Sequence, residues 1–258
     1  KSIPDLICAS GAVPGIKVDT GAKVLANSPE EKITEGLDGL RERLEKYRKL
    51  GAKFTKWRGV YNISSKYPSK LAMHSNAHAL ARYSALVQDC GMVPIVEPEV
   101  LMDGDHSAED CLHKTSEVIK KCFEELLLHK VDLTGIILKP NMILAGNKSK
   151  NKISNEEVSF KTIDCLKKSV PKEVPGIAFL SGGQSEIEAT ENLNLINKNN
   201  DTNFIMTYSY GRALQQSALK FWSNNIKDIT GTQNVFNHRA KMCSLAAQGK
   251  WSKKLENK

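Results

Sequence analysis

The stretch GIILKPNMIL, residues 135–144, carries a lysine to the end of an apolar run and stops that run at once with Pro140. Ile136, Ile137 and Leu138 read as a buried strand, yet lysines are rarely kept inside. Taken alone, Lys139 reads as a side chain reaching water at a strand end. The rest of the chain changes that reading. Short apolar or β-branched runs bounded by Gly or Pro recur at VPGIKVD (13–19), KFTKWRGV (53–60), MVPIVEPEV (92–100), TGIILKP (134–140), PGIAFLSGG (175–183) and NFIMTYSYG (203–211). Their starts are mostly about 40 residues apart, the spacing of a strand plus a helix and its loops.

Amphipathic helices fill the intervals. Leu37, Leu40, Leu44 and Tyr47 lie on one helical face, and Gly51 ends that helix. A capping box at Ser154–Glu157 opens another, which carries Val158, Cys165 and Leu166. Further helices are expected from Ser75 to Cys90, Ala108 to Leu128, Ser185 to Ile196, Arg212 to Trp222 and Thr232 to Ala247. With no hairpin signal read between them, alternating strands and helices imply an α/β fold with parallel strands and right-handed crossovers. No GxGxxG turn follows a strand, which weighs against a dinucleotide fold. Polar groups collect at the C-terminal ends of the strands, where a (β/α)8 TIM barrel keeps its active site. About six βα units are visible where eight are needed. SerGlyGly at 181–183 and TyrGlyArg at 210–212 resemble the phosphate-binding turns after the last two strands of such barrels, so the missing first two strands are expected before Lys1. The 258 residues then read as a single barrel domain, present as a fragment.

Composition bounds the partners. The chain is 40% hydrophobic and 26% charged, with a formal net charge of +8, an ordinary globular balance that favours an anionic ligand. Aromatics are only 6% and no nucleic-acid motif is present, so DNA and RNA are not expected partners. No apolar run approaches the roughly 18 residues a membrane span requires. Six widely spaced cysteines without a CxxC pair read as free thiols, mostly in the core, in a reducing, cytoplasmic location. His74 and His78 in HSNAH have the i, i+4 spacing of a zinc pair, but no third ligand is evident and they read as helix-surface histidines. His106 in DGDH reads as a loop or capping residue.

Strand alternation puts Lys56 and Arg58 on one face with Trp57 on the other, and pairs Lys17 with Asp19 and Glu97 with Glu99. Each alone reads as a strand-end charge or a structural ion pair. Together Lys17, Lys56, Arg58, Glu97, Glu99, Lys139, Ser181 and Arg212 fall at the same end of successive strands, which describes a site for a substrate with two anionic ends. Lys17 and Arg58 are expected to hold one phosphate; Arg212, the Ser181 hydroxyl and N–H groups near Gly182, Gly183 and Gly211 the other. Between them, Lys139 is backed by aliphatic residues and approached by cations such as Lys56, conditions that favour its neutral amine and Schiff-base chemistry with a carbonyl.

GIKVD, KWR, VPIVEPEV, LKPNM, FLSGGQSE, SYGRALQ and SALKFW, in this order, with LARY at 80–83 and DGDH at 103–106, resemble class I fructose-bisphosphate aldolases from about Val13 to Trp251. The resemblance implies a (β/α)8 barrel, assembled as a homotetramer. It also implies reversible cleavage of fructose 1,6-bisphosphate to dihydroxyacetone phosphate and glyceraldehyde 3-phosphate, in glycolysis and gluconeogenesis, without metal or other cofactor. By that resemblance Lys139 is the Schiff-base lysine, Glu97 the acid/base, Glu99 the residue that orients the lysine cluster, and Lys56 the group that stabilises developing charge. Lys17 and Arg58 then bind the C6 phosphate, and Ser181, Gly182, Gly211 and Arg212 the C1 phosphate, with Ser209 at the same mouth. The family's first-strand aspartate and C-terminal tyrosine are expected to lie outside the given chain, and two raw sheet edges are expected. The competing readings are a catalytically impaired phosphosugar-binding or scaffolding protein, and another phosphate-binding barrel such as an isomerase.

Overall fold

The structure, a computed structural model, describes residues 2–256. A short helix, α1 (Ile3–Ala9), precedes strand β1 (Gly15–Lys17), a hairpin of β2 (Gly21–Leu25) and β3 (Ser28–Glu35), and α2 (Leu40–Lys49). Then follow β4 (Phe54–Tyr61), α3 (Lys70–Asp89), β5 (Val93–Val100), α4 (Ala108–Leu128), β6 (Ile137–Leu138), α5 (Asn155–Ser169), β7 (Gly176–Phe179), α6 (Glu186–Asn199) and β8 (Ile205–Tyr208), and finally α7 (Arg212–Asn224) and α8 (Ile229–Ala246). The expected strands form one parallel sheet in the order β1-β4-β5-β6-β7-β8. β1 and β8 are its edges among the described residues.

Helix starts are written locally. Ser107, Ser154 and Ser185 each accept the N–H three residues on, while Asp110, Glu157 and Glu188 return a bond to the cap backbone, forming capping boxes at α4, α5 and α6. Each box sits in the loop leaving a strand and so fixes where the crossover begins.

The length of β6 has a backbone cause. On β5, the N–H groups of odd-numbered neighbours point to β4, as the bonds from Val93 to Lys53 and from Leu101 to Tyr61 show. Pro94 and Pro98 therefore face β6, where they can donate nothing. The β4–β5 ladder runs over the whole strand, whereas β5–β6 pairing covers only Ile95–Ile137 and Val96–Leu138. One further bond, Lys139 N–H to the Val96 carbonyl at 2.7 Å, pins the lysine backbone beside Glu97.

The hairpin corrects the expectation of an uninterrupted strand–helix alternation. β2 and β3 pair antiparallel around Ala26–Asn27, with Asn27 at φ 60°, a left-handed conformation that asparagine tolerates. α1 was likewise not anticipated. Tertiary bonds hold the hairpin over the sheet. The Thr34 hydroxyl donates to the Arg58 carbonyl at 2.6 Å, and Asn76 on α3 donates to the Lys32 carbonyl at 2.8 Å.

Side chains opposite the charged face enter the core. Trp57, flanked in sequence by Lys56 and Arg58, is fully buried and packs on Tyr83 of α3 with ring centroids 5.5 Å apart. The Tyr83 hydroxyl is satisfied by Thr55 Oγ1 at 2.7 Å. Five cysteines are buried and Cys8 is exposed; all six are free thiols. Lys17 from one edge and Arg212 beyond the other line the same cavity, so the sheet is rolled toward a barrel.

Candidate active site

The cavity, of about 380 Å³, opens at the C-terminal ends of the parallel strands. Lys17 comes from the end of β1, Lys56 and Arg58 from β4, Glu97 and Glu99 from β5, and Lys139 from the residue after β6. Ser181 and Gly182 follow β7; Ser209, Gly211 and Arg212 follow β8. Apart from Gly183, the residues assigned to catalysis or substrate binding from the sequence therefore line one cavity. Gly183 lies outside the lining.

Register explains the convergence. Lys17 pairs with Lys56, and Arg58 with Glu97, across neighbouring parallel strands, while Val96 pairs with Leu138. Glu97 and Lys139 are thus the next residues at the same level. Lys139 is buried, with 9% of its surface exposed, and its Nζ lies 3.0 Å from Glu97 Oε1. Lys56 Nζ lies 2.8 Å from Glu97 Oε2. The Glu97 carboxylate thus stands between the Nζ atoms of Lys56 and Lys139. Parallel pairing of adjacent strands puts acid between bases.

Glu99 is buried and meets Arg58 Nη1 at 3.1 Å through Oε2. Burial holds its carboxyl above the ordinary carboxylate range; Arg58 offsets part of that effect, and the nearby Glu97 charge adds to it.

The two flanks differ in kind. At one, Lys17 and Arg58 present side-chain cations. At the other, α7 begins at Gly211 with no side-chain cap bond, so its first N–H groups are open to an anion, and Arg212 stands beside them. Gly182 has φ 55°, and a Cβ there would approach Leu180 Cδ1 to 3.2 Å and Met102 Sδ to 3.3 Å. Glycine is the residue this turn accommodates.

Asp19 carries no expected role in the sequence reading, although strand alternation puts it on the face of Lys17. Its carboxylate is 3% exposed, with Oδ1 2.7 Å from Lys17 Nζ and Oδ2 4.0 Å from Lys56 Nζ. It also accepts the Gly21 N–H at 3.2 Å. The residue links the first strand to the hairpin and sets the place of Lys17. Among the described residues no histidine or cysteine lines the cavity, and Asp19, Glu97 and Glu99 each already face a cation. A divalent metal would have to displace those partners.

A rolled parallel sheet with lysines, arginines and carboxylates gathered at its strand C-termini belongs to the α/β barrel class of enzymes. The family model described as fructose-bisphosphate aldolase class-I matches residues 1–258. A probable fructose-bisphosphate aldolase class 1 of Xanthomonas campestris pv. campestris is 50% identical over 245 residues, covering 93% of this chain and 72% of that protein. The cytosolic fructose-bisphosphate aldolase 4 of Arabidopsis thaliana is 46% identical over 250 residues, covering 96% of this chain and 64% of that protein. A solved fructose-bisphosphate aldolase from Plasmodium falciparum, in complex with TRAP and a small-molecule inhibitor, superposes with a TM-score of 0.93 at 44% identity, covering 96% of this chain and 72% of that one. The chain belongs to the class I fructose-bisphosphate aldolase family, and its relatives' names place it among the lyases.

Proposed function

We propose that this chain cleaves fructose 1,6-bisphosphate reversibly to dihydroxyacetone phosphate and glyceraldehyde 3-phosphate through a Schiff base on Lys139. The observation that carries this reading is the 3.0 Å contact of Lys139 Nζ with Glu97 Oε1 inside a cavity with anion-binding groups on two flanks. Lys17 and Arg58 hold the C6 phosphate. Arg212, the Ser181 hydroxyl and the backbone at Gly182 and Gly211 hold the C1 phosphate, with Ser209 beside them.

In this mechanism the neutral Lys139 amine adds to the C2 carbonyl. Glu97 passes a proton to the departing hydroxyl, and loss of water leaves an iminium. The C3–C4 bond then breaks: its electron pair moves into the enamine, and the C4 hydroxyl gives its proton to the Glu97 carboxylate as the aldehyde forms. A proton returned to C3 and addition of water to the iminium release dihydroxyacetone phosphate and regenerate the amine. Lys56 stabilises developing negative charge, and Glu99 keeps Arg58 in place.

Borohydride reduction with dihydroxyacetone phosphate should trap an adduct on the peptide carrying Lys139 in the full chain, and turnover should survive a metal chelator. An unmodified Lys139 peptide under conditions of turnover overturns the mechanism. A homotetramer in the cytoplasm is part of the proposal. Exposed Leu127, Leu128 and Phe160 on the outer helices support an assembly, and the buried free thiols support a reducing compartment. Sedimentation equilibrium tests the assembly.

A further inference from the structure

His74 and His78 stand one turn apart on α3, their ring centroids 6.1 Å apart. The sequence around them offers no third ligand, but the packing of α3 against α4 does. Glu125, near the end of α4, is buried and turns both carboxylate oxygens toward α3. Its Oε1 lies 3.1 Å from His74 Nδ1, and its Oε2 lies 3.3 Å from His78 Nδ1. His129, the residue that caps α4, brings its ring centroid within 4.9 Å of that of His78. Donor atoms of His78, Glu125 and His129 all lie within 4.8 Å of one another.

We propose that His78, Glu125 and His129 form a site for a divalent transition metal of the Zn²⁺ type, which ties α3 to α4 on the helical shell and takes no part in the aldol chemistry. Two imidazoles and one carboxylate are the mixed nitrogen and oxygen set that Zn²⁺ takes, with a fourth position left for water or a further ligand. Ligand atoms at Zn–N and Zn–O distances around a tetrahedral ion stand about 3.3 Å apart; His78 Nδ1 and Glu125 Oε2 already have that separation.

The surrounding bonds prepare the set. A backbone carbonyl only accepts, so the 2.8 Å contact of His129 Nδ1 with the Glu125 carbonyl oxygen is an N–H donation. That bond leaves the lone pair of the neutral ring on Nε2, while Nδ1 stands 3.9 Å from Glu125 Oε2. The other carboxylate oxygen, Oε1, is held by His74 Nδ1 at 3.1 Å and by Lys121 Nζ at 3.6 Å, and these two orient Glu125. The side chain of His78 is 43% exposed while the Glu125 side chain is 4% exposed, so the site has a buried floor and a solvent entrance. At His78 the metal would take the place of the proton that Nδ1 shares with Glu125, and in the neutral ring that proton moves to Nε2. None of these residues lines the catalytic cavity.

The test is Co²⁺ binding to the chelator-stripped full chain, followed by its visible absorption. The expected result is a saturable four-coordinate spectrum that Zn²⁺ displaces. His78→Ala and His129→Ala abolish it, and His74→Ala weakens binding by roughly 10–100-fold. Aldol turnover of the stripped protein and of the variants stays at the wild-type level. Absence of the spectrum, or its persistence in both His78→Ala and His129→Ala, overturns the proposal. Diethyl pyrocarbonate labelling of the wild-type chain gives a readout that does not depend on variants folding. Zn²⁺ should protect His78 and His129 but not His113, which lies elsewhere on α4 beside Glu117; equal labelling with and without Zn²⁺ overturns the site.

Discussion

Glu97 lies 3.0 Å from Lys139, the residue that follows the neighbouring strand, and its second oxygen is held by Lys56 at 2.8 Å. One buried carboxylate thus serves the proposed nucleophile and the cation beside it. Glu97→Gln should lower kcat by about 10²–10⁴-fold, the usual contribution of a positioned acid/base, with a much smaller change in KM. Steady-state kinetics, with a thermal melt to verify folding, provide the check.

Asp19 acts on Lys17 and Lys56 from below. Asp19→Ala leaves Lys17 Nζ only its 2.7 Å bond to the residue-19 carbonyl and frees the Gly21 N–H, so KM for the bisphosphate should rise. Stability should fall by about 1–2 kcal/mol, since Lys17 is half exposed and water replaces much of the lost interaction. Asp19→Asn keeps an acceptor for Gly21 and should be milder in urea unfolding. Equal KM for wild type and Asp19→Ala would remove its positioning role.

The two phosphate flanks should separate by substrate. Arg58→Ala should cost about 10–100-fold in kcat/KM with the bisphosphate, the value of lost charge-assisted hydrogen bonds. It should have little effect on a ketose lacking the C6 phosphate. Arg212→Ala should impair both substrates. Comparing the variants on fructose 1,6-bisphosphate and fructose 1-phosphate tests the assignment.

Glu99 predicts a pH dependence of stability. Its folded-state value is raised by burial from an ordinary value of 4.5, so the native state keeps this proton to higher pH than the unfolded chain does. Its contribution is therefore full below 4.5 and is lost as pH rises through the folded value. Glu99→Gln cannot lose that proton and should flatten this part of the profile. Urea midpoints of wild type and variant, compared from below 4.5 upward, should diverge in that direction.

Much of this architecture is legible locally. The capping boxes at Ser107, Ser154 and Ser185 act within four residues, and apolar runs such as IILKP announce strands by their own composition. Alternation likewise separates Trp57, which is buried, from Lys56 and Arg58, which face the cavity. The β2–β3 hairpin is different. Its strand β3, SPEEKITE, has polar residues on both faces and is held by Asn76 and Arg58, residues remote in sequence.

The order of residue types along the chain determined the succession of strands and helices, the family, and the set of charges at the strand ends, because β-strand alternation and helix capping are short-range effects. The tertiary structure alone decided that one Glu97 carboxylate touches both Lys56 and Lys139, that Asp19 is buried beside Lys17, and that Glu125 and His129 meet the histidines of α3. Those relationships depend on strand register and helix packing. Distances of a few ångströms between residues tens of positions apart follow only once the sheet has rolled and its helices have docked.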